Sequence, residues 1–111
     1  MNKIIFITGN KHKLEIARAV LKLYDIDVEN IDLNVDEIQD TDIENIAKKS
    51  ALAAAKILNK PVIKTDVGFF IEALNGFPGA FGKYVFNQLG TDGMLKLLDG
   101  KTNRKGKAIE V

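Results

Sequence analysis

Thr8-Gly9-Asn10-Lys11-His12-Lys13 stands between an apolar, β-branched run and a stretch whose apolar residues recur every three or four positions. A turn that feeds a helix offers backbone N–H groups at the positive end of the helix dipole. A glycine lets a ligand approach the backbone, and Lys13 adds a mobile charge. Phosphate is the guest this chemistry suits. The residues match neither the Walker A sequence nor the dinucleotide fingerprint, and Gly-Asn after a strand also serves as an ordinary turn. Glu37 and Asp66 each follow a strand-like run, the place where open α/β sheets bind ligands. Mg²⁺ takes one or two carboxylates and completes its shell with phosphate oxygens and water, so this pair suffices for it. The alternative makes Glu37 a solvated surface acid and Asp66 a turn residue. A third segment, Phe69 to Tyr84, sets aromatic residues beside Gly and Pro. It could form a wall on which a purine stacks, with Lys83 reaching phosphate, though such aromatics are more often core, and Phe69, Ile71 and Phe77 are expected there whatever the function.

These residues need elements to position them. Lys3–Thr8 reads as a central strand buried on both faces. Lys11 to Leu23 reads as an amphipathic helix with Leu14, Ile16, Ala17, Val20, Leu21 and Leu23 as its stripe. Ile26 to Leu33 alternates as a second, edge strand, with a slip at Glu29-Asn30 that suggests a bulge. Asp42 caps a long helix to Leu58, in which Ile43, Ile46, Ala47, Ala51, Ala54 and Leu58 share a face. Val62–Thr65 forms a third strand, and Gly68 separates it from Phe69-Phe70-Ile71, which returns as a hairpin. Asn75 to Gly79 breaks regular structure. Helices over Lys83 to Leu89 and Asp92 to Leu98 flank Gly90, and Ala108 to Val111 begins a last strand. The order βαβαββααβ implies an α/β fold, a mixed twisted sheet flanked by helices, in one domain over residues 1–111.

At 111 residues, with 46% hydrophobic and 28% charged, the chain is long enough for one cored domain. Sixteen basic against fifteen acidic residues give a net charge of +1, which lacks the field of a protein gripping a nucleic acid polymer. No Cys and a single His exclude disulfides and thiolate or His-rich metal sites. No apolar run spans a membrane, and the expected location is the cytoplasm.

Three segments in this order, Thr8-Gly9-Asn10 with Lys13, Glu37-Ile38-Gln39, and Asp66-Val67-Gly68 followed by Glu72-Ala73-Leu74-Asn75-Gly76-Phe77-Pro78-Gly79, resemble the inosine triphosphate pyrophosphatase family, also called Ham1 or XTP/dITP diphosphatase, in its archaeal form. The resemblance implies hydrolysis of deaminated purine nucleoside triphosphates (ITP, dITP, XTP) to monophosphate and pyrophosphate with Mg²⁺, in a homodimer. By motif position it implies substrate contacts from Thr8, Gly9, Asn10, Lys13, Val67 and Lys83, metal ligation by Glu37 and Asp66, and Asp66 as the general base. The pattern departs from the family at three places. Thr65 and Val67 stand where the family carries an acid and a Ser around Asp66; Asp40 replaces a Gly; Ser50 falls where many members place Lys, with Lys49 beside it. The segments that read the purine base in the family lie beyond these 111 residues. Slow turnover and weak base preference are therefore expected, with a shared strand across a dimer as one way to complete the fold. The alternative reading is an inactive phosphate-binding or dimerising half-domain. The related Maf-type pyrophosphatases fit the Asn75 to Gly79 segment less well.

Overall fold

The computed structural model describes residues 2–111, and the chain folds as two compact units. Met1–Ile38 with Ile46–Thr65 make the first; Gln39–Asn45 with Asp66–Val111 make the second.

The first unit is built on β1 (Asn2–Ile7), whose Ile5, Phe6 and Ile7 are buried. Its β-branched, apolar sequence suits a strand covered on both sides. β1 is central, with β2 (Ile26–Ile31) and β3 (Val62–Ile63) parallel to it on either side. Parallel neighbours need a crossover, supplied by α1 (Lys11–Lys22). The β1–β2 register runs unbroken from Asn2↔Ile26 to Ile7↔Ile31, so the bulge expected at Glu29-Asn30 does not form. The slip in polarity has another cause: Asn30 Nδ2 donates to Phe6 O at 3.3 Å and Thr8 O at 2.8 Å, so an amide is accommodated within a regular strand. β3 ends two residues short of the expected Thr65.

α2 (Ile43–Leu58) begins where Asp42 Oδ1 accepts the Glu44 N–H at 3.0 Å, as an N-cap does. Its Ala54 is fully buried with Ile5 and Ile7, and Ile31, Leu33, Val35, Leu58 and Val62 pack around them. α1 contributes less than its sequence stripe implies. Leu14, Ala17 and Leu21 are half-buried, while Ile16, Val20 and Leu23 are exposed.

In the second unit, β4 (Val67–Ile71) is the centre of an antiparallel sheet between β5 (Pro78–Gly79) and β6 (Gly106–Glu110). The expected hairpin between the third strand and Phe69-Phe70-Ile71 is absent, because β3 pairs with β1 and β4 with β5 and β6. The α/β class holds, with the parallel and antiparallel pairings in separate three-stranded sheets. Gly68 lies inside β4 rather than before it. A Cβ there would stand 2.7 Å from Phe70 Cε2, so the Phe70 ring lies over it. α3 (Gly82–Leu97) is two helical pieces joined at Gly90, whose φ of 66° and ψ of 178° are open to glycine alone; the expected break is there. Phe77 does not join the core, being 44% exposed, whereas Ile71 is buried and Phe69 packs on Phe86 with ring centroids 5.9 Å apart.

Candidate functional site

The turn after β1 is shaped by its own side chains. Asn10 takes an extended conformation and caps α1, its Oδ1 accepting the N–H groups of His12 at 2.9 Å and Lys13 at 3.2 Å. Thr8 Oγ1 accepts the Asn10 N–H at 3.0 Å. The helix terminus is thus less open than a bare dipole argument implies, because its N2 and N3 donors are already satisfied. With Oδ1 so fixed, the two Asn10 Nδ2 protons and the Thr8 hydroxyl proton become the side-chain donors of the turn. The N–H groups of Gly9 and Lys11 complement them.

Lys13 extends from the first turn of α1 and donates from Nζ to Thr65 Oγ1 at 3.1 Å. The Thr65 hydroxyl is therefore a direct partner of the lysine, a role sequence spacing does not reveal across 52 positions. Glu37 follows β2 in the same unit, with Oε1 3.5 Å from Lys64 Nζ; Lys64 is well buried and Glu37 half-exposed. A contact of that length on a partly solvated acid leaves it lone pairs for a hard cation.

In the second unit, Asp66 is held by its backbone, whose N–H donates to Val111 O and whose O accepts from the Val111 N–H, both at 2.9 Å. Val67 next to it is exposed. Lys83 is exposed in the first turn of α3, at a terminus where Phe81 provides no side-chain cap. Among the described residues no side chain caps the leading N–H groups of that turn, an electropositive setting for Lys83. Phe81 and Tyr84 beside it are exposed. On α2, Lys49 is exposed while Ser50 is 2% exposed, its Oγ without a hydrogen-bond partner among the described residues. One position turns a helical side chain by about 100°, so Lys49 does not point where a side chain at 50 points.

Among the described residues no three His, Cys, Asp or Glu side chains gather into a metal cage. Glu37 in the first unit and Asp66 in the second each carry a carboxylate, a hard oxygen donor of the kind Mg²⁺ takes in small number, the rest of its shell coming from phosphate and water. Asp32, which spacing did not single out, lies against Gly9: a Cβ at Gly9 would be 3.2 Å from its Oδ2. The sequence signal for it was an acid directly after the strand that neighbours the phosphate turn. No helix is long and apolar enough to cross a membrane among the described residues.

Comparison with known proteins bears on this arrangement. Residues 4–111 match the model of the Ham1 family. A dITP/XTP pyrophosphatase of Methanopyrus kandleri is 48% identical over 109 residues, covering 98% of this chain and 58% of that relative. One of Methanosarcina mazei is 43% identical over 105 residues, covering 94% and 56%. The chain therefore spans less than three-fifths of the length of these curated relatives. Among solved structures, the Ham1 protein of Staphylococcus aureus superposes with a TM-score of 0.70 at 26% identity, over 98% of this chain and 60% of that one. A HAM1 protein from Coxiella burnetii shares the fold with a TM-score of 0.76 at 23% identity, over 99% and 62%. With its strand–turn–helix opening and residues 4–111 matched by the family model, the chain belongs to the Ham1 family.

Proposed function

We propose that this chain binds a deaminated purine nucleoside triphosphate and cleaves it to the monophosphate and pyrophosphate. The observation that carries the reading is the strand–turn–helix of residues 2–22, in which Thr8 Oγ1 and Asn10 Oδ1 accept backbone N–H groups of the turn and of α1, so that the Thr8 hydroxyl proton and Asn10 Nδ2 are left to donate, with Lys13 in the first turn of the helix. That chemistry suits a polyphosphate, and relatives 48% and 43% identical to the chain carry the name dITP/XTP pyrophosphatase.

In this reading Thr8, Gly9, Asn10 and Lys13 hold phosphate oxygens, and Lys83 at its uncapped helix terminus holds another. Val67 lines the substrate, offering contact but no hydroxyl. Attack of water at the α-phosphorus builds charge on the equatorial oxygens and on departing pyrophosphate, and the lysines and turn donors oppose that charge. Asp66 orients the water and takes its proton. A divalent cation, Mg²⁺ by resemblance, held by Glu37 and Asp66 would neutralise phosphate charge when bound. The exposed Phe81 and Tyr84 offer faces on which a purine ring stacks. Thr65 and Val67 in place of an acid and a Ser remove groups that position water or metal. Loss of such positioning is worth about 10²-fold in rate, so turnover is slow. We place the chain in the cytoplasm, with a homodimer as its working form.

Calorimetric titration with ITP and Mg²⁺, against inosine as control, tests the binding step. Saturable binding of ITP with none of inosine supports a phosphate-led site. Equal response to both, or to neither, contradicts it.

A further inference from the structure

Asp32 is the residue directly after β2, and β2 runs parallel to β1 in unbroken register up to Ile7↔Ile31. Thr8-Gly9 and Asp32 thus leave the sheet side by side, held there by the Asn30 Nδ2 bond to Thr8 O. The carboxylate lies flat against the turn: a Cβ at Gly9 would meet Oδ2 at 3.2 Å, Oδ1 at 3.3 Å and Cγ at 3.4 Å. Asp32 is exposed, and among the described residues its carboxylate pairs with no cation and accepts no hydrogen bond. A negative group with no counter-charge of its own therefore sits beside the backbone where a phosphate would rest.

We propose that Asp32 makes the phosphate turn select a triphosphate that carries a divalent cation over the bare anion. The proposal rests on the reading of this turn as a triphosphate seat. A phosphate on the donors of Thr8, Gly9 and Asn10 comes within a few ångströms of the Asp32 carboxylate, and two anions at that range repel. A hard divalent cation removes the conflict, since it binds carboxylate and phosphate oxygens together. Asp32 is then a specificity-determining residue: it penalises the metal-free ligand and contributes a ligand, directly or through water, to the metal-bound one. The competing role for an acid after the second strand of a βαβ unit is to accept a hydrogen bond from a ribose hydroxyl. Such a bond depends on the sugar and is indifferent to metal.

The test compares wild type with Asp32→Asn, and with Asp32→Ser as a second variant, by calorimetric titration of ITP and of inorganic tripolyphosphate, each in Mg²⁺ and in EDTA. Asp32 is exposed, so both variants should melt as wild type does. The expected result is a sign change: the variants bind both ligands about tenfold more weakly in Mg²⁺ and about threefold more tightly in EDTA. The preference of wild type for the metal-bound form thereby collapses. A variant that keeps the wild-type ratio between Mg²⁺ and EDTA overturns the proposal. So does a loss confined to ITP and equal in both buffers, which would make Asp32 a ribose partner. If wild type binds neither ligand in either buffer, the triphosphate seat itself is wrong and this proposal falls with it, an outcome distinct from the other two.

Discussion

Asn10 uses the two ends of one carboxamide for different purposes. Its Oδ1 accepts from His12 and Lys13 and so caps α1, which leaves Nδ2 to donate to a ligand. The two roles separate by substitution. Asn10→Ala removes both and should destabilise the chain by about 1 kcal/mol, whereas Asn10→Asp keeps a good cap and should change stability by only a few tenths. Affinity for ITP should fall in the opposite order: Asn10→Asp should weaken binding more than Asn10→Ala does, because it places a carboxylate beside phosphate. Denaturant melts and ITP titrations on wild type and both variants check this; one shared rank order in both would refute the division of roles. The frame of this candidate site was legible in the sequence, since the turn through Thr8, Gly9, Asn10 and Lys13 follows from a strand, a glycine and a helix in succession. Thr65, Asn30 and Asp32 were not. Each acts on a residue at least 22 positions away, and local spacing carries no such information. Asn30 even misled, since a polar residue out of phase reads as a bulge until its acceptors on Phe6 and Thr8 are known.

At the scale of elements, existence and order were legible while pairing was not. The long helix from Asp42, the α1 helix and the Gly90 break stand within a residue or two of their expected places, because periodicity and caps are local signals. Strand partners are set by tertiary structure, and β4 turned from β3's hairpin mate into the centre of another sheet. Gly68 shows why: it is an interior strand position roofed by a ring, with Phe70 Cε2 2.7 Å and Ile43 Cδ1 3.0 Å from where a Cβ would stand. Gly68→Ala should therefore destabilise by about 1–3 kcal/mol through overpacking. Adding Phe70→Leu should recover part of the loss, the two residues being in contact and hence coupled. A double-mutant cycle from urea midpoints measures this, and strict additivity would show that the ring is not what fills the space.

For the molecule as a whole, composition excluded more than it specified. No Cys and one His exclude disulfides and thiolate or His-rich metal sites, and a net charge of +1 lacks the field of a protein gripping a nucleic acid polymer. What the pattern could not convey is how little of the α1 stripe is covered, with Leu23 at 83% exposure, since amphipathicity says which face can be buried and not what buries it. The chain spans under three-fifths of its curated relatives, so their activity has to be measured on these 111 residues directly. Phosphorus NMR of ITP incubated with the protein and Mg²⁺ reports which bond is cut. The pyrophosphate and inosine monophosphate resonances should grow slowly and in step. Orthophosphate with inosine diphosphate, or an ITP spectrum that never changes, would contradict it.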